Sequence, residues 1–176
     1  MKVKDMTLAA VMAALICIAW PLTIAAGPVP LSLATFAVYL AGAIFGKKWG
    51  TVSVGLYLLI GIIGVPVFSG FSGGFQKLAG VTGGYLIGYL PCAFLSGFGA
   101  EKAERAGKKR ILPMMMVLGT AVLYTVGTAW FMIQTGNRLG AALGLCVLPF
   151  LPGDAVKIAA AALLAGPVKK AVKGIN

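Results

Sequence analysis

The sequence predicts an all-α membrane protein. It has six transmembrane helices, both termini on the cytoplasmic side, and an extracellular pocket covered by loops. Three observations carry this. Hydrophobic residues make up 60% of the 176 and charged residues 11%, against roughly 45–50% and about 25% in soluble domains. At about 20 apolar residues per span, that length admits six spans with short loops, as one integral membrane domain over residues 1–176. The basic residues, finally, are spread unevenly among the loops.

Residues 6–25 form the first span. Lys2, Lys4 and the apolar run first suggest a signal peptide, but the run is long enough to cross a membrane and more spans follow. Ala9/Ala13 and Ala10/Ala14 are two overlapping small-residue pairs, which let another helix approach closely. Gly27, Pro28, Val29, Pro30, Leu31 and Ser32 favour extended backbone, since two prolines in three residues end a helix. Helix two is short, residues 33–45. Gly46, Lys47, Lys48, Trp49 and Gly50 read as an interfacial turn, and helix three covers residues 51–64.

Residues 65–85 hold six glycines and four aromatics. They suit neither a solvated loop nor a helix. A lid folded back over the bundle is expected, with glycines such as Gly84 letting the backbone approach a ligand or a helix closely. Helix four covers residues 84–99 and is kinked by Pro91. A charged stretch, residues 101–110, leads into helix five, residues 111–133. Residues 134–140 are polar. Residues 141–151 are apolar but half a span long, which suits a re-entrant or interfacial helix. Helix six starts at Asp154 and runs to about residue 172.

Alternating these loops gives one side Lys2, Lys4, Lys47, Lys48, Lys102, Arg105, Lys108, Lys109, Arg110, Lys169, Lys170 and Lys173. The other side receives Lys77 and Arg138. That is the asymmetry the positive-inside rule requires. It accounts for the net charge of +11 without nucleic acid. Histidine is absent, and the three cysteines are scattered through apolar runs, so neither a metal cluster nor a disulfide framework is expected. No phosphate-binding Gly-Lys-Ser/Thr loop occurs. Energy must come from a partner or an ion gradient, and the chain is not read as an enzyme.

The same alternation brings residues 27–32, the glycine-rich lid, residues 134–140 and the start of helix six to the outer face. There Asp154 and Lys157 share one helix face inside an apolar region. A charge in the membrane costs roughly 2.5–3.5 kcal/mol on insertion scales, so the pair marks a functional site. A plain helix cap with a neutralising partner is the alternative.

Four ordered motifs carry a family resemblance. They are residues 27–42 (Gly-Pro-Val-Pro-Leu-Ser onward), Val65-Pro66-Val67-Phe68 with Phe71-Ser72-Gly73-Gly74, residues 80–88 around Thr82-Gly83-Gly84-Tyr85, and Pro152-Gly153-Asp154-Ala155-Val156-Lys157. Together they resemble the BioY family, the biotin-specific S components of energy-coupling factor (ECF) transporters. Val81 departs from the proline of that motif, and Phe75-Gln76-Lys77 from its glycine and apolar residues. The resemblance implies a multi-pass subunit of a bacterial or archaeal cytoplasmic membrane that binds biotin outside. It would join a T component and two ATPases, which use the ATP, and need no cofactor of its own. It also implies that the alanine stripe, Ala9, Ala10, Ala13 and Ala14, meets the T component.

Biotin's chemistry suits these residues. Asp154 is an acceptor-only anion for ureido N–H groups, and Lys157 can donate to the ureido carbonyl or pair with the carboxylate tail. Thr35, Gln76, Thr82 and Tyr85 are expected to complete the hydrogen bonds. Phe68, Phe71 and Phe75 are expected to cover the apolar part. Two other readings stand beside this one: a proton-coupled secondary transporter using Asp154 as carrier, and an S component for another vitamin.

Overall fold

The computed structural model describes residues 3–19, 21, 23–24 and 31–174. Helix α1 is Val3–Ala19. A two-residue ribbon follows, β1 Thr23–Ile24 antiparallel to β2 Leu31–Ser32. Then come α2 Ala34–Ile62, α3 Phe75–Ala79, α4 Gly83–Ala106, α5 Ile111–Thr135, α6 Leu139–Cys146 and α7 Leu151–Gly174. Gly27, Pro28, Val29 and Pro30 lie outside the described residues.

Helix α2 is two limbs folded back on each other. Gly46 adopts φ 77° and ψ 178°, open to glycine and strained for other residues. A Cβ on Gly50 would sit 2.5 Å from the Ala41 carbonyl oxygen, whereas nine residues along one continuous helix span about 13.5 Å. The chain therefore reverses at Gly46 alone. The expected five-residue turn is corrected: Lys47, Lys48, Trp49 and Gly50 are already helical. Thr51 Oγ1 donates to the Lys47 carbonyl at 2.6 Å, one turn back. With these limbs, the described residues contain six long helical segments: α1, both limbs of α2, α4, α5 and α7.

Other boundaries shift for local reasons. Helix α4 runs past residue 99 to Ala106 and stops at Gly107, whose left-handed backbone (φ 63°) lets its N–H reach the Ala103 carbonyl. Helix α7 begins at Leu151 rather than Asp154. Pro152 and Gly153 fall in its first turn, where a missing N–H costs nothing. Helix α6 has eight residues, Leu139–Cys146, rather than covering the expected 141–151, and Leu151 already belongs to α7. The lid is not structureless, since Phe68 pairs with Ser72 and α3 follows.

Helix α4 is central, packed on α2 and α5, while α1 lies on α2, and α7 contacts α2 and α5. The α2–α4 crossing is backbone on backbone. A Cβ on Gly42 would lie 2.4 Å from the Ala93 carbonyl oxygen, and one on Gly97 would lie 2.3 Å from the Lys47 nitrogen. The two ends of the bundle differ in chemistry. At one, Lys47 pairs with Glu101 at 3.5 Å and Lys169 with Glu104 at 2.7 Å. At the other, the lid is tied to α5 through Trp130 Nε1 to the Gly80 carbonyl (2.9 Å) and Gln134 Nε2 to the Ala79 carbonyl (2.8 Å). Helices α5 (Ile111–Thr135) and α7 (Leu151–Val172) are long and apolar enough to cross a membrane.

Candidate functional site

Asp154 opens the site. Its N–H donates to the Phe150 carbonyl at 2.8 Å, so it already belongs to α7. Its carboxylate turns inward and accepts three hydrogen bonds: from Thr35 Oγ1 at 2.9 Å, Lys157 Nζ at 3.0 Å and Tyr124 OH at 2.5 Å. The three donors come from α2, α7 and α5. Lys157 Nζ also donates to Thr35 Oγ1 at 3.2 Å. The Asp154 and Lys157 side chains are 6% and 15% exposed. A buried pair of this kind is stable only when both charges are met and the remaining valences filled. Here Thr35 and Tyr124 fill them.

The pair borders a cavity of about 30 Å³ lined by Ser32, Thr35, Tyr85, Tyr89, Leu123, Tyr124, Cys146, Phe150, Asp154 and Lys157. That is roughly the volume of one water. A larger ligand must displace part of the wall. The wall has a firm side and a light side. The firm side is α2, α4 and α5, joined by Tyr39 OH to Thr120 Oγ1 at 2.6 Å and Tyr85 OH to Thr128 Oγ1 at 3.1 Å. The light side runs from Cys146, the last residue of α6, through the non-helical turn to Phe150 before α7, and its side-chain tie to the firm side is Tyr85 OH donating to the Cys146 carbonyl at 3.4 Å. Ser32 also lines the cavity, its Oγ accepting the Ala34 N–H at 3.2 Å.

Of the expected ligand contacts, the structure brings Thr35, Tyr85, Asp154 and Lys157 together. It does not bring Gln76, Thr82, Gly84 or Phe71 to the cavity. Gln76 is exposed on α3, and Phe71 is 68% exposed at the lid tip with φ 55°. Thr82 precedes α4, its carbonyl accepting from the Tyr85 and Leu86 N–H groups. Gly84 is a packing glycine, because a Cβ there would lie 2.2 Å from Trp130 Cβ. Among the aromatics, Phe75 is exposed, and Phe68 is buried edge-on against Tyr57 with ring centroids 5.5 Å apart. Neither lines the cavity. The alanine stripe divides: Ala9 and Ala13 are buried, while Ala10 and Ala14 face outward.

Tyr124, Tyr89, Ser32, Cys146 and Phe150 were not foreseen. A signal for the first did exist. Thr120, Tyr124 and Thr128 recur every four residues along a largely apolar α5, so they share one face, and that face meets Tyr39, Asp154 and Tyr85 in turn.

The model of the BioY family matches residues 1–174. The chain belongs to the BioY family. Among its relatives in that family, a probable biotin transporter BioY of Pyrococcus horikoshii is 39% identical over 165 residues, covering 94% of this chain and 96% of the relative. The biotin transporter BioY of Thermotoga maritima is 36% identical over 167 residues, covering 95% and 96%. The BioY fold seen here is also similar to the crystal structure of the S-component for biotin from an ECF-type ABC transporter. That match has a TM-score of 0.82 and 32% identity, over 96% of this chain and 92% of the other.

Proposed function

We propose that this chain is the biotin-binding S component of an ECF-type ABC importer. It would span the cytoplasmic membrane six times with both termini inside, and join a T component and two ATPases that supply the energy. The observation that carries the proposal is the buried Asp154–Lys157 pair on the wall of a tyrosine-lined cavity, in a chain of this family. Asp154 offers acceptor oxygens to ureido N–H groups, and Lys157 Nζ offers donors to a carbonyl or carboxylate oxygen. Tyr85, Tyr89, Phe150 and Leu123 supply the apolar surface a ring system requires.

Entry of biotin needs the cavity to widen, and the light side, from Cys146 to Phe150, is where it yields. The twelve-to-two distribution of basic residues supports an outward-facing cavity. Contact with a T component falls to the outward half of the alanine stripe, Ala10 and Ala14, because Ala9 and Ala13 are already covered by this chain.

Uptake of labelled biotin into cells tests the energy source. The expected result is uptake that requires catalytically intact ATPase subunits and survives a protonophore while ATP is held constant. Uptake that ignores the ATPases and collapses with the protonophore would instead favour a proton-coupled transporter. Thiamine or riboflavin outcompeting biotin would move the proposal to another vitamin.

A further inference from the structure

At the end of the bundle away from the cavity, the turn between α4 and α5 carries Lys108, Lys109 and Arg110 in succession. All three are exposed, and with Ile111 and Met114 they line a groove of about 410 Å³. Among the described residues no ion pair reaches them. Of its four acidic residues, Asp154 lies at the cavity, Glu101 pairs with Lys47, and Glu104 pairs with Lys169. Asp5 has a side chain outside the described set. Among the described residues no carboxylate pairs with Lys108, Lys109 or Arg110. Little is offered by the backbone at the start of α5 either. The Ile111 N–H is bonded to the Lys108 carbonyl at 3.2 Å, Met114 N–H to that of Arg110 at 3.4 Å, and Pro113 has none. An anion here would be held by the three side chains.

The groove's own lining is apolar, with the three charged residues around it. From Met114 an exposed apolar stripe continues through Val117 and Leu118, which are 55% and 48% exposed, at the spacing of one helix face. Helix α5 has 25 residues, about 37 Å, against a hydrocarbon core of about 30 Å. That length leaves room for its first turn, which carries the basic residues, at headgroup level with the apolar stripe below it. We infer that Lys108, Lys109 and Arg110, together with Ile111 and Met114, bind an anionic phospholipid. The headgroup phosphate rests on the three cations, and an acyl chain follows Met114, Val117 and Leu118.

Native mass spectrometry of the purified full chain with dioleoyl phosphatidylglycerol or dioleoyl phosphatidylcholine tests this. The expected result is retention of phosphatidylglycerol at least about tenfold above phosphatidylcholine. The preference disappears in Lys108→Gln/Lys109→Gln/Arg110→Gln and persists in Lys48→Gln/Arg105→Gln/Lys170→Gln, which removes the same charge elsewhere. Equal loss in the two triple variants would overturn the site in favour of diffuse attraction. Absence of any preference in the wild type, or displacement of the lipid by excess inorganic phosphate, would overturn it as well. Circular dichroism confirms folding. Should the first triple variant not fold, Lys109→Gln alone, at an exposed position, is expected to lower retention several-fold, and unchanged retention would count against the site.

Discussion

At the residue scale, Asp154 is held by three donors from three helices, and each has a separate consequence. Tyr124→Phe keeps the ring packing and removes one O–H. A hydrogen bond to a charged group contributes about 1.5–3 kcal/mol, so biotin affinity is expected to fall about ten- to a hundredfold, measured by equilibrium binding. Thr35→Val removes both a donor to Asp154 and an acceptor for Lys157, and is expected to cost at least as much. Gln76→Ala is expected to leave affinity within about twofold, since that side chain stands on the surface of the lid; a loss as large as that of Tyr124→Phe would place α3 over the ligand instead. The charged pair was legible in the sequence because ionised groups are rare in apolar surroundings. Tyr124 was harder to find because it lies outside all four motif stretches, whereas Thr35, whose partner Asp154 is 119 positions away, lies within one. The lid residues misled because polarity near a pocket says nothing about which way a side chain points.

At the element scale, the helices owe their placement to missing side chains. Gly42 sits under the backbone of α4, where its neighbours have no rotamers to adjust. Gly42→Ala is expected to destabilise the protein by about 1–3 kcal/mol, in the range for overpacking. Gly55 is the matched control: its nearest obstruction is Leu90 Cδ2 at 3.9 Å. Gly55→Ala is expected to be neutral or stabilising by up to about 1 kcal/mol, from helix propensity. Thermal unfolding of both variants in detergent checks the contrast. Equal effects would mean that the α2–α4 crossing is looser than these distances require. The apolar runs foretold these helices, and the glycines only partly foretold where they end. Gly107 and Gly136 are both left-handed caps, yet Gly46 reverses the chain while Gly50, four residues on, lies within a helix. Glycine identity alone does not distinguish these roles. The difference lies in whether the next segment packs back on the last, which is a tertiary fact.

At the scale of the whole molecule, the two ends of the bundle carry different chemistry, and that polarity gives the transport reading its direction. The Lys47–Glu101 and Lys169–Glu104 pairs lie at one end, and the lid, α6 and the cavity with its Asp154–Lys157 pair at the other. The charge asymmetry of the sequence predicts which of these ends faces the cytoplasm. It could not foretell the size of the cavity, which depends on how closely Tyr85, Tyr124 and Phe150 converge. With the three native cysteines replaced by alanine, Gln76→Cys is expected to react with a membrane-impermeant maleimide in intact cells, and Arg105→Cys only after lysis. The reverse pattern would turn the cavity inward and remove the basis for external capture.

The most direct test of the central claim is equilibrium binding of radiolabelled biotin to the purified full chain in detergent, wild type beside Asp154→Asn and Lys157→Ala. Saturable, tight binding by the wild type is expected. A loss of at least about a hundredfold is expected in Asp154→Asn, where a buried cation is left unpaired and an acceptor is replaced by a donor, and a comparable loss in Lys157→Ala. Wild-type protein that is folded and monodisperse yet binds no biotin would contradict the assignment. Undiminished binding in both variants would contradict the site.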